Sequence, residues 1–487
     1  MQMTSTNRRW VMTAVLLVTF LAAIEGTVLN TALPVIVGEL GGWNNMSWVV
    51  SIYLLATASM TPISGFLADR FGRKPMILVG ISLFLFGTIC CGMAQSIGQL
   101  IFFRAWQGLG SGFIVPITYT IVADIYPFEH RARAQSWIST VWGVAAVISP
   151  FTGGFIVDHV SWRWIFYAGV PVGLLAASII WRFFHESESK QNDHVNWSSI
   201  VLFVLAISSL MYGIQETNAL PVPDYIFFIV AAVSIALFVY TNHRSQSPLI
   251  PLRLMRNPAI LVPNTADFLL NAILVSMNFY IPLWVQGIYG FGAVGSGLML
   301  LAMSIAWPVS AAATGTLIRR YGTRTTSLIG HMLIVIGTFG LLFQQLRIEL
   351  EWLVILLVFM GSGFGIAFTV HIVSVQSSVQ WQERGRAVSS NNLMRQMGQA
   401  IGISTLGTML AGNVSMLLES KSDSDMARLR MDDLFNSETV ANMPEASIQL
   451  LRDVLAYGMQ PIFIVLIVLA VLSMLISLRL PKEITEI

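Results

Sequence analysis

Charge is scarce in this chain. Asp, Glu, Lys and Arg make up 11% of its 487 residues, against about 25% in soluble proteins, too little to cover a water-exposed surface of this length. Aromatic residues, also 11%, argue against a disordered chain. Cysteine is nearly absent. Cys90 and Cys91 are adjacent within an apolar run, which disfavours a structural disulfide, and no CxxC or Cys/His spacing offers a metal site. The net charge of +2 leaves no basic footprint for nucleic acid, where a domain pI above about 9 is expected. No phosphate-binding loop, nucleophile or zinc motif occurs, so an ATP-driven pump and a membrane enzyme are set aside. No metal and no cofactor is expected.

Long apolar runs are abundant. A bilayer core of roughly 30 Å takes about 20 apolar residues per helix. Fourteen such runs are read, at 11–37, 47–66, 76–95, 98–123, 135–157, 163–181, 198–216, 224–241, 259–284, 295–316, 326–345, 352–376, 387–411 and 458–479. Strands of an outer-membrane barrel would be about ten residues long and alternating. The fold class is therefore an all-α integral membrane protein with 14 transmembrane helices. The first run is read as a mature helix, not a signal peptide, because it is long and carries Glu25. With the amino terminus inside, 19 of the 27 basic residues fall in inner segments, and the short outer loops hold Arg163 and Arg347. The positive-inside rule then places both termini in the cytoplasm, with the chain a monomer in the cytoplasmic membrane. The 412–456 stretch is a long outer loop with eight acids and four bases. Its apolar residues, among them Leu429, Val440, Ile448, Leu451 and Leu455, allow a helix lying on the membrane surface.

The chain also repeats itself. Gly65 to Lys74 follows the second run, and a similar Gly315 to Arg324 follows the tenth, 250 residues later. Arg131-Ala-Arg133 is matched by Arg384-Gly-Arg386, Asn30 and Pro34 by Asn278 and Pro282, and Gly108, Gly110 and Gly112 by Gly361, Gly363 and Gly365. These matches at nearly one offset imply two pseudo-symmetric six-helix halves, 1–185 and 257–487, with two inserted helices at 196–245. Repeated halves in a membrane are the architecture of a transporter, with a site near the midplane.

A charged residue at the bilayer centre costs roughly 2.5–3.5 kcal/mol on insertion scales, so Glu25, Arg104, Asp267 and Arg395 are the candidate proton-coupling residues. Glu25 lies about 22 Å from its cytoplasmic start and Arg104 about 9 Å below the outer surface, at 1.5 Å per residue. Those depths coincide and allow an ion pair. Asp267 and Arg395 each lie about 12 Å inside the cytoplasmic face, which allows a second. Desolvation favours a protonated carboxyl and a neighbouring guanidinium favours the carboxylate. A movement that alters this balance would make Glu25 a proton carrier, and the same anion would attract a cationic substrate. Glu25, Trp142, Asn271, Asn278, Trp307 and Gln399 are the candidate cavity residues, since aromatic faces attract cations. His371 is read as a packed or hydrogen-bonded histidine.

The loop Gly65-Phe-Leu-Ala-Asp69-Arg70-Phe-Gly72-Arg73-Lys74 resembles a signature of the major facilitator superfamily. Over nearly its whole length the chain is similar to the fourteen-helix drug:proton antiporter branch. Ile24 to Pro34 resembles that branch's first-helix motif, Arg104-Ala-Trp-Gln107-Gly108-Leu-Gly110 its fourth-helix motif, and Trp162 to Gly173 the start of its sixth helix. Gly143 through Ser149-Pro150 to Gly154 resembles the fifth-helix motif associated with antiporters. The chain departs at Glu25, where Asp is more usual, at Ser149, where Gly precedes the proline, and at Gly169, which replaces Asn. The resemblance implies a gating motif of Gly65, Asp69, Arg70, Gly72, Arg73, Asp124 and Pro150. Gly65 and Gly72 are expected to permit close helix approach and a tight turn, and Asp69 to cap a helix amino terminus. It also implies a proton-driven exporter of small amphipathic, cationic drugs. The alternative is a specific exporter, or a proton symporter, of a single metabolite, antibiotic or siderophore.

Overall fold

A computed structural model describes residues 5–126, 128–186, 197–214, 223–245, 253–346, 350–380, 384–421 and 429–482. Among these residues the regular structure is helical, without a strand. The helices are α1 (Ser5–Leu40), α2 (Met46–Phe71), α3 (Arg73–Gly92), α4 (Ile97–Ile125), α5 (Phe128–His159), α6 (Arg163–Tyr167) and α7 (Gly169–Phe183). They continue with α8 (Trp197–Ile214), α9 (Asp224–Arg244), α10 (Pro258–Tyr289), α11 (Ala293–Gly340), α12 (Leu350–Ser377), α13 (Arg384–Lys421), α14 (Ser437–Asn442) and α15 (Glu445–Ser477). Thirteen stretches are long and apolar enough to cross a membrane, and one of them, Ala293–Phe343, is 51 residues long and carries two of the expected runs.

Local chemistry sets the helix ends. Ser96 caps α4 by accepting from the Gln99 amide at 3.3 Å. Asn257 caps α10 by accepting from Ala259 N at 2.9 Å, with Pro258 in the first turn, where its missing N–H costs nothing. Gly72, at φ 101°, separates α2 from α3, and its repeat counterpart Gly322, at φ 77°, interrupts α11 between the tenth and eleventh runs. A side chain at either position would be strained.

The chain forms two compact units, Met1–Ala32 with Trp48–Leu249, and Leu33–Ser47 with Ile250–Ile487. The central helices α8 and α9 pack on each other and group with the first unit. Within each unit the repeated glycines do the same work. A Cβ at Gly108 or Gly112 would strike the α2 backbone near Tyr53 and Thr57, and one at Gly110 would strike α3 at Phe84. In the second unit, a Cβ at Gly361 or Gly365 would strike the first part of α11 at Met303 and Trp307, and one at Gly363 would strike its second part at Gly330. Small residues let helix backbones close on one another in an apolar medium, so α4 and α12 are each wedged between their two neighbours.

The 412–456 stretch, whose apolar residues allow a helix on the membrane surface, lies partly within its flanking helices, since α13 runs on to Lys421. α15 begins at Glu445, thirteen residues before the last apolar run, and Ile448, Leu451 and Leu455 on it are buried in the protein. A short turn, Met431–Phe435, packs on the segment after α1. The Trp43 amide donates to Asp432 Oδ1 at 2.9 Å, the Trp43 and Phe435 rings stack at 5.8 Å, and Asn436 Nδ2 donates to Gly38 O at 3.1 Å.

Candidate functional site

In the first unit, α1 and α4 bring Glu25 and Arg104 together. The Arg104 guanidinium lies 3.2 Å from Glu25 Oε1, and both side chains are about 2% exposed. The surroundings hold the guanidinium on three sides. Its Nη1 also donates to Gln107 Oε1 at 2.5 Å, its Nε donates to Val49 O at 3.2 Å, and it sits 4.1 Å over the Tyr53 ring. Gln107 in turn donates from Nε2 to Thr88 Oγ1 at 2.8 Å, and Tyr53 OH donates to Ser111 Oγ at 3.0 Å. Buried polar groups need such partners, because an unpaired one keeps its full desolvation cost.

α5 closes over the same stretch of α1. Ser149, where the resemblance expects glycine, hydrogen-bonds the Thr27 hydroxyl and donates to Ile24 O at 3.3 Å, on either side of Glu25. Pro150 follows it inside α5 and is buried. A Cβ at Gly153 would collide with Val28 and Thr31, whereas one at Gly143 would meet open space.

The second unit departs from the expected pairing. Asp267 on α10 does not take Arg395 as its recorded partner. Its Oδ1 lies 2.6 Å from Nδ1 of His371 on α12, and its Oδ2 accepts from Asn391 Nδ2 on α13 at 2.9 Å. Arg395, one helical turn beyond Asn391, rests its guanidinium 4.4 Å over the Phe368 ring. Depth along a helix placed Asp267 and Arg395 at one level but could not say which face of α13 meets α10. Asn391 bridges further to Asn264 Oδ1 at 2.9 Å.

The cavity candidates scatter. Asn271 is fully buried, donates to Asp267 O at 2.8 Å and accepts from Gln399 Nε2 at 2.9 Å. It therefore joins α10 to α13 instead of lining an open space. Asn278 donates to Leu274 O within its own helix at 3.0 Å. Trp307 is half-buried and stacks on Phe364 and Phe368 at 5.9 and 5.3 Å, beside the Arg395 guanidinium. Trp142 is 38% exposed on α5.

At the loop between α2 and α3, Arg73 pairs with Asp124 inside the first unit. Arg70 is exposed, over the Phe71 ring. The side chain of Asp69 lies outside the described residues. At the α3 amino terminus the Glu186 carboxylate accepts from Arg73 N at 2.6 Å and Lys74 N at 3.2 Å. A Cβ at Gly65 would meet open space, so packing does not require glycine there. Sequence reasoning missed Gln107, Tyr53, Asn391 and Glu186. Gln107 was the one with a signal, standing one helical turn after Arg104.

Comparison with known proteins agrees with this architecture. The family model described as Major Facilitator Superfamily matches residues 15–403. Multidrug resistance protein 3 of Bacillus subtilis (strain 168) is 28% identical, over 98% of this chain and 96% of its own length. Efflux pump dotC of Dothistroma septosporum is 28% identical over 98% and 86%. Among solved structures, a bacterial homologue of the human lysosomal transporter Spinster superposes with a TM-score of 0.66 at 15% identity, covering 97% of each chain. A D-xylose-proton symporter superposes with a TM-score of 0.60 at 12% identity, over 91% of this chain and 96% of its own; at these identities the likeness is one of fold. With the model match spanning most of the chain, the protein belongs to the Major Facilitator Superfamily and is a multi-pass membrane transporter of small substrates, not an enzyme.

Proposed function

We propose that this transporter exports amphipathic, cationic drugs across the cytoplasmic membrane in exchange for protons, with both termini cytoplasmic and no cofactor beyond the proton gradient. The observation that carries the reading is the Glu25–Arg104 pair, a carboxylate and a guanidinium at 3.2 Å, sealed among apolar helices. A buried ion pair is costly to form and costly to break, so its presence in a membrane span is a functional hypothesis by default. The relatives named as multidrug resistance protein and efflux pump support drugs as the substrate class.

In the closed arrangement Arg104 balances Glu25 without a proton. Alternating access, with the two six-helix halves as the moving bodies, opens the pair to water and to substrate in turn. A cation bound near Glu25 and a proton bound on Glu25 then exclude each other, and exchange follows. One monovalent cation exchanged for one proton moves no net charge, so the pH gradient drives the exchange, and each pH unit is worth about 1.4 kcal/mol, or roughly tenfold accumulation.

The test is transport in liposomes holding a pH gradient, with a lipophilic cation such as tetraphenylphosphonium added outside. Wild-type protein is expected to dissipate the gradient as it moves the cation. Glu25→Gln, whose amide oxygen can still accept from Arg104, is expected to fold with lowered stability and to lose gradient-driven transport; active transport retained in that variant would sink the role of Glu25. Coupling to a single metabolite in place of the lipophilic cations would favour the specific-carrier alternative.

A further inference from the structure

A second polar cluster is buried in the other half, and the mechanism above makes no use of it. Asp267, His371, Ser327 and His331 form a chain across α10, α12 and the second part of α11, all at most 1% exposed. His371 Nδ1 meets Asp267 Oδ1 at 2.6 Å, and its Nε2 lies 3.1 Å from Ser327 Oγ. His331 Nδ1 is 2.8 Å from Ser327 O, a carbonyl that can only accept, so this nitrogen carries its hydrogen. Its Nε2 then accepts on its single lone pair from Ser477 Oγ of α15 at 3.2 Å, while Ser473 Oγ, 3.0 Å away, donates to Ala266 O at 3.3 Å. His331 is thereby fully satisfied as a neutral ring.

His371 is different. A serine hydroxyl both donates and accepts. Ser327 can donate to Nε2 when His371 is neutral and accept from Nε2–H when it is an imidazolium. The partner of His371 thus fits either protonation state by turning a hydroxyl, with no side chain displaced. Charge counting says which state a sealed site holds. With one shared proton, Asp267 and His371 sum to zero; without it they leave a bare negative charge among apolar helices, which is expensive. Among the described residues, the charged or titratable groups nearest along these helices are His331 on α11, fixed as above; Arg324, one turn before Ser327, whose Nε donates to Leu480 O at 2.5 Å; and Arg395 on α13, held over Phe368. Asn391 contributes an uncharged amide that suits a carboxylate.

We propose that Asp267 and His371 form a second proton-binding site, loaded while closed and unloaded during the exchange cycle. Histidine is the side chain whose ordinary titration lies nearest physiological pH, which suits a site that must both take and release. Unloading needs a replacing positive charge or access to water. Arg395, one turn from Asn391 and beside the Trp307–Phe368 aromatic ledge, supplies that charge when it is displaced from the ring. The proposal rests on the proton-exchange reading, and adds to it that Glu25 is not the sole carrier.

The test counts protons released when tetraphenylphosphonium is added to purified full-length protein in weakly buffered detergent. His371→Gln and the neutral pair Asp267→Asn/His371→Gln are each expected to release one proton fewer than wild type while still binding the cation. The Glu25–Arg104 pair holds no proton while closed and takes one only when opened to water, so the role of Glu25 is tested separately, by the gradient-driven transport of Glu25→Gln. Equal release from wild type and both second-site variants would overturn the second site and leave Glu25 untouched. Gradient-driven transport retained in Glu25→Gln would instead overturn the proposed role of Glu25. A readout on wild-type protein alone guards against misfolded variants. The 15N resonances of the His371 ring should shift when the cation is added, and unchanged resonances would overturn the proposal.

Discussion

The two halves of the molecule share a plan and differ in where they keep their charge. The repeat counterparts of Glu25 and Arg104 are Ile273 and Leu357, both fully buried and apolar. The counterparts of Asp267 and His371 are Thr19 and Thr118, each bonded back to its own helix, at Val15 O and Val115 O. Duplication therefore kept the glycine wedges and the turn glycines but not the charged sites. Asp267 sits six residues nearer the start of its helix than the Glu25 position, about 9 Å along the axis. The electrostatics are opposite too. Glu25 with Arg104 is neutral without a proton, because a guanidinium does not give one up. Asp267 with His371 is neutral only with one. Under the proposed exchange, the same requirement, no net charge in a sealed apolar interior, would leave one site without a proton and the other with one.

That contrast can be broken by measurement. The largest effect is expected from Arg104→Ala, which leaves Glu25 without its cation and costs about 3–5 kcal/mol of stability. Thermal unfolding in detergent should show a larger loss than for His371→Gln, since Arg104 also gives up its bonds to Gln107 and Val49 O and its place over the Tyr53 ring. Equal losses would mean that these added contacts contribute nothing to stability. Next comes Ser327→Ala, which takes away the hydroxyl that serves both states of His371. Leaving Nε2 without a partner costs about 1–3 kcal/mol, and the variant should also slow the proton release attributed to the second site. Release at the wild-type rate would show that the hydroxyl is mere packing. The smallest effect is expected from Ser149→Gly, which restores the residue usual in the family. It removes the bonds to Thr27 and Ile24 at a cost of about 0.5–1.5 kcal/mol, and export should persist with the Glu25–Arg104 pair intact. Loss of transport would make Ser149 part of the site.

The helical class, the repeat and the Glu25–Arg104 contact were legible in the sequence because each depends on distance along a helix. Apolar length sets the spans, one offset sets the repeat, and depth sets which charges stand level. The Asp267 contact was not legible, since level is not facing. His371 and Asn391, not Arg395, point at Asp267, and that rotation is decided by packing around Gly398 and Gly402, where a Cβ would strike α10 at Phe268 and Ala272. Glu186 escaped for a related reason. It caps a helix more than one hundred residues earlier in the chain, and no local pattern announces a long-range cap. Conversely, Gly65 looked like a packing glycine by motif and meets open space. The outer residues Ile448, Leu451 and Leu455 carry the spacing of a surface helix, and that spacing cannot tell lipid from protein as the apolar partner.

The segment Leu33–Ser47, at the end of α1 and just beyond it, belongs to the second unit, more than two hundred residues before the rest of that unit begins. Through Trp43 and Gly38 it supplies the surface on which Asp432, Phe435 and Asn436 rest. During synthesis this piece emerges early and waits for its partners until nearly the whole chain has been inserted. A chain severed between 249 and 250 would give a second fragment lacking part of its own fold, while the first would carry that part without anything to cover it. The two units are thus unequal along the chain: the first is complete by Leu249, and the second includes a segment from near the beginning.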